Sequence, residues 1–67
     1  MKGSELKQLR EKASIPQVEL AREAGMPQWM LCRIEQGTRR LKSEEAALLV
    51  ATLHRILGER SWVGVGT

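Results

Sequence analysis

The chain contains no Phe, no Tyr and no Asp, one Cys, one His and two Pro. Each scarcity excludes something. Without Phe or Tyr the core must be aliphatic, built from Leu, Ile, Val, Ala and Met. A single cysteine, Cys32, excludes an intrachain disulfide and points to a reducing compartment. His54, Cys32 and no Asp supply neither a metal-ligand set nor a nucleophile–base pair, and no glycine-rich phosphate loop occurs. No catalysis, no metal and no cofactor are therefore expected. No apolar run approaches the roughly eighteen residues that a membrane span needs. The opening MKGSELKQLREK has no apolar signal region, so cytoplasmic residence is the expectation.

What remains is short and mildly basic. Sixty-seven residues, 42% apolar, allow one domain with a small core. The net charge is +3 and the pI about 9.6. That balance suits a nucleic-acid partner, although many small proteins share it.

Helical spacing organises most of the chain. A first helix is expected from Ser4 to Lys12, with Ser4 as its cap, Glu5 in its first turn, and Leu6 and Leu9 facing inward. Ala13, Ser14 and Ile15 form its exit, with Ile15 returning to the core. The stretch PQVELAREAGMPQWMLCRIEQG, residues 16 to 37, then reads as two short helices, about Gln17–Ala24 and Gln28–Gln36. Val18, Leu20, Ala21 and Ala24 space as the inner face of one. Leu31 and Ile34 space as the inner face of the other. Gly25 stands between them, where a left-handed residue would end a helix, and Gly37 ends the second. A basic loop follows, Thr38-Arg39-Arg40-Leu41-Lys42. Ser43 is expected to cap a last helix running to about Leu57, with Ala46, Leu49, Val50, Leu53, Ile56 and Leu57 as its apolar stripe and Gly58 as its stop. The domain then spans 1–58. Residues 59–67 form a short tail whose Trp62, Val63 and Val65 make an apolar patch for a twin subunit or a partner, or simply a loose end.

Two helices joined by a glycine turn define a helix-turn-helix, whose second helix characteristically lies in the DNA major groove. The pieces LKQLREKASI, QVELAREAG, MLCRIEQG and LLVATLHRILG, in that order, resemble the lambdoid phage repressor/Cro, or XRE-type, family over about residues 4 to 57. The resemblance implies an all-α fold of four to five helices, double-stranded DNA as the partner, and a homodimer on two half-sites. It implies that Gln28, Trp29 and Arg33 reach base edges. It implies that Gln17 contacts a phosphate and braces Gln28, and that Arg10 and Glu35 pair between the first and third helices.

Chemistry supports these roles without requiring them. Gln pairs with adenine and Arg with guanine through two hydrogen bonds each, and Trp29 and Met30 offer apolar contact to thymine methyls. Equally, Arg33 reads as a solvated surface residue and Trp29 as one packed on a neighbouring helix. Thr38, Arg39, Arg40 and Lys42 are placed to meet the phosphate backbone, or to form an ordinary solvated loop. Leu57 joins the tail residues in the expected dimer or partner contact. Glu19 and Glu23 are expected on an outer face, open to polymerase.

Two departures from the family stand out. Pro16 and Pro27 occupy positions where Ser or Thr is usual, each forfeiting a cap worth about 1 kcal/mol. Trp29 and Met30 are bulkier than the small polar residues common there. The reading is a sequence-specific transcriptional repressor that binds an operator as a dimer. The alternative is an antitoxin-like module that meets a protein partner on the same fold.

Overall fold

Four helices follow one another in a computed structural model: α1 (Gly3–Lys12), α2 (Gln17–Glu23), α3 (Gln28–Gln36) and α4 (Ser43–Gly66). It describes the backbone of residues 1–66 and the side chains of residues 1–60. No strand occurs among the described residues. Helix α3 packs on α1 and α2, and α4 lies across the same two helices.

Leu6, Ile15, Leu20, Ala21, Leu31, Ile34, Leu49, Leu53 and Ile56 form the aliphatic core. Ala13, Ala24, Met26, Met30 and Leu41 pack against it from half-buried positions. Two residues expected inside are exposed, Leu9 and Val18. On α1 the seat facing α3 falls to Arg10, one turn beyond Leu6, while Leu9 lies on the opposite flank. On α2 the buried seam is Leu20 and Ala21, and a residue two positions before Leu20 points away from it. Thr52, buried on α4, donates its hydroxyl to the Leu48 carbonyl at 2.7 Å, so that burial leaves no donor unpaired.

One device ends three helices. Ser14, Gly25 and Gly37 all have positive φ, at 56°, 73° and 84°. After each, the next amide reaches back five residues: Ile15 to Arg10, Met26 to Ala21, and Thr38 to Arg33. These are Schellman closures, and Ile15 and Met26 supply the apolar contact that accompanies them. Ser14 adopts the left-handed conformation without being glycine, which carries a steric cost.

The helix starts differ from expectation. Neither Ser4 nor Ser43 is the cap. In α1 the Lys2 amide donates to Glu5 Oε1 at 3.4 Å, and before α4 the Lys42 amide donates to Glu45 Oε1 at 3.1 Å. A glutamate in the first turn thus reaches back to the residue before the helix, half of a capping box that needs no capping side chain. The Lys42 amide, aided by Arg39, holds the Glu45 carboxyl below its ordinary pKa. Its stabilising contribution is present at neutral pH and disappears as acid protonates it. Pro16 and Pro27 occupy the cap positions of α2 and α3, with extended backbone and no side-chain cap, and their carbonyls accept the first helical amides.

Helix α4 runs through Gly58 to Gly66, so Gly58 does not stop it. An unstrained glycine only weakens a helix, by up to about 1 kcal/mol. Ion pairs on either side of it hold the turn. Arg55 bonds Glu59 at 3.3 Å and Glu23 at 3.4 Å, while Arg60 bonds Glu19 at 2.6 Å and the Ser14 carbonyl at 3.3 Å. Glu19 and Glu23 thus pair with Arg60 and Arg55 of α4, and Glu23 stays exposed on the outer face of α2. The side chains of Trp62, Val63 and Val65 lie outside the described residues.

Helix α1 begins against the end of α3. A Cβ on Gly3 would overlap the Ile34 carbonyl oxygen and lie 2.7 Å from its carbon. Gly3→Ala should therefore destabilise the fold by about 1–3 kcal/mol through overpacking, although alanine favours helices. A melting temperature lowered by at least about 5 °C is expected. An unchanged or raised one would show that the contact yields freely.

Candidate nucleic-acid interface

Helix α3 turns Leu31, Ile34 and Glu35 inward. Trp29, Arg33 and Gln36 lie on its solvent face, and Gln28 sits exposed in its first turn beside α2. Trp29 is 54% exposed and does not pack under a neighbouring helix. The Arg33 guanidinium instead lies over its ring, 5.3 Å from the centroid, one helical turn away. That cation–π contact is worth about 0.5–1 kcal/mol at an exposed site and narrows the arginine's orientations. Met30, expected outward with them, is half-buried and packs against the core. Cys32 is a half-buried free thiol.

Beneath this face runs a polar network. Arg10 clasps Glu35 with two hydrogen bonds, Nε to Oε2 at 2.7 Å and Nη2 to Oε1 at 2.9 Å. The third guanidinium nitrogen donates to the Ile15 carbonyl at 2.9 Å, tying the pair to the exit of α1. The side chains are 12% and 3% exposed. Hydrogen bonding to Glu35, with its negative charge, raises the Arg10 pKa against the opposing effect of burial. Glu35 Oε1 also accepts from Gln17 Nε2 at 3.1 Å, and Gln17 Oε1 accepts from Gln28 Nε2 at 3.4 Å. The chain of contacts Arg10–Glu35–Gln17–Gln28 thus runs from the buried pair to the first residue of α3. The link from Gln17 to Glu35 had no signal in the sequence, since 18 positions separate them.

The loop after α3 is divided. Thr38 donates its hydroxyl to the Arg33 carbonyl at 3.2 Å, finishing the helix. Arg39, expected to face a phosphate, is turned back onto Glu45 of α4 at 3.4 Å. Arg40 and Lys42 are exposed. An open polar depression lies beside them, lined by Lys2, Ser4, Gln36, Arg39, Arg40 and Ser43. His54 is exposed on α4. No group of metal-ligating side chains occurs among the described residues, and none of their helices is long and apolar enough to cross a membrane.

An all-helical fold that offers one helix outward, between a glycine turn and a basic loop, defines a small helix-turn-helix DNA-binding domain. A family profile described as helix-turn-helix matches residues 6–55. The chain belongs to that family, of the XRE type, whose members bind DNA through this motif in transcription regulation and are not an enzyme family. No curated protein and no solved structure gives a significant match.

Proposed function

We propose that the chain is a transcriptional repressor that occupies an operator as a homodimer and blocks polymerase there. One observation carries this reading: α3 exposes Gln28, Trp29 and Arg33 together, with Arg40 and Lys42 following. In the major groove Gln28 would meet adenine and Arg33 guanine, while Trp29 covers a thymine methyl. Gln17, Arg40 and Lys42 would meet phosphates, with Thr38 assisting and Arg39 joining if it leaves Glu45. Leu57, exposed on α4, would contribute to the dimer contact. A single domain of this size reads few base pairs, which favours two copies on two half-sites.

Selection of duplexes from a random pool at near-physiological salt tests it. Enrichment of an inverted repeat, with half-sites about one helical turn apart, is the expected result. A lone half-site would retain DNA reading and remove the dimer. Weak binding without enrichment would overturn operator reading and favour a protein partner on Trp29 and the exposed apolar side chains.

A further inference from the structure

One side of the Arg33 guanidinium is already covered. The Trp29 ring backs it from the preceding turn of α3, with the centroid 5.3 Å away, and both side chains are exposed on the solvent face. An arginine that makes two hydrogen bonds to guanine O6 and N7 lies in the plane of that base. Its two faces then point along the groove, one toward each neighbouring base pair. With Trp29 against one face, a single face is left for DNA. That face is flat and weakly hydrated, so an apolar group displaces water from it readily. The right-handed twist of DNA brings the C5 position of the pyrimidine 5′ to the guanine beside it. A methyl at C5 fills the space, whereas a bare C5–H leaves a gap and forfeits the contact.

We propose that α3 selects a C5-methylated pyrimidine directly 5′ to the guanine that Arg33 reads, with Trp29 as the positioning residue that holds the guanidinium for it. Thymine always carries that methyl, and cytosine carries it only after methylation. Thymine and 5-methylcytosine are therefore equivalent at this position, and methylation of a CpG step there raises affinity. This rests on α3 being the reading helix and on Arg33 meeting guanine. It is separate from any thymine that Trp29 itself meets.

The test changes one nucleotide of the selected operator. The guanine is the position at which Arg33→Ala removes discrimination. On its 5′ side, in the same strand, stands thymine, deoxyuridine, 5-methylcytosine or cytosine. Thymine and deoxyuridine differ by one methyl with pairing unchanged, and so do 5-methylcytosine and cytosine. The wild type should bind the methylated member of each pair about threefold to tenfold more tightly, the effect of burying one methyl. In Arg33→Ala and in Trp29→Ala both ratios should fall below about twofold. Both side chains are exposed, so the fold should survive either change. In the free protein, NMR should show the Arg33 side-chain protons shifted by the Trp29 ring current, and returned to ordinary values in Trp29→Ala.

Ratios near one in the wild type, at a guanine that responds to Arg33→Ala, would overturn the inference and leave α3 as the reader. Ratios that persist in Arg33→Ala would overturn it as well, by assigning the methyl to another side chain. Ratios kept in Trp29→Ala, or unshifted Arg33 protons in the wild type, would overturn the positioning role of Trp29. An operator in which no guanine responds to Arg33→Ala would overturn the underlying assignment of Arg33 to guanine, and the methyl contact with it.

Discussion

Glu35→Ala should lower stability by about 3–5 kcal/mol, the typical cost of removing one half of a buried pair. The reason lies in what stays behind. Arg10 is 12% exposed in its side chain and would keep its charge, with only the Ile15 carbonyl as a partner. A domain of this length has a total stability of roughly 3–10 kcal/mol, so a large unfolded fraction follows. DNA binding should fail at 37 °C for that reason, and recover in part on cooling. Replacing both partners, as Arg10→Met with Glu35→Leu, removes the stranded charge and should cost much less. The check is a urea midpoint for each protein. A Glu35→Ala midpoint equal to the wild type's would sink the claim that this pair is a stability element.

Arg33→Ala should do the opposite, sparing the fold and removing specificity. The side chain is exposed and its described partner is the Trp29 ring, so the melting temperature should move little. A bidentate arginine–guanine contact is worth about 1–3 kcal/mol, so affinity for the selected operator should fall about ten- to a hundredfold. Binding to unrelated duplex should change far less. Arg33→Lys should not restore the loss, because an ammonium lacks the planar fork. Competition binding against operator and random duplex separates the outcomes. An equal loss on both, with a shallower salt dependence, would reassign Arg33 to a phosphate.

Arg33 stands out by its residue type and its place on the helix, and the Arg10–Glu35 pair by the family resemblance. Leu31 and Ile34 define an inner face for α3, and Glu35 falls beside it. Gln28 and Arg33 stand out as residues able to read bases. Gly25 and Gly37 mark helix ends because only a left-handed backbone closes them. Other features were not legible. Leu9 and Val18 are apolar at plausible helical spacing, yet the neighbours of α1 and α2 cover other sides. Ser43 resembles a cap, but the amide before the helix is taken by Glu45 two residues further on. Gly58 looks like a stop, and Arg60 reaching back to Glu19 and Ser14 makes it an interior residue. Met30 sits in a helix whose face is decided by where α2 and the core lie.

Local chemistry explains the division. Helical periodicity and left-handed glycines are set by neighbouring residues, and charge balance and the lack of catalytic residue types by composition, so all four are legible in the chain alone. They were enough for an all-helical fold, its helix-turn-helix and the outward helix. The remaining features depend on groups far apart in the chain. The family resemblance implies the Arg10–Glu35 pair, across 25 positions, but nothing in the chain announces Glu35 with Gln17 across 18 or Arg60 with Glu19 across 41. Such contacts form only when packing brings the helices together. They fix which polar atoms are already engaged, and so which remain free to face DNA.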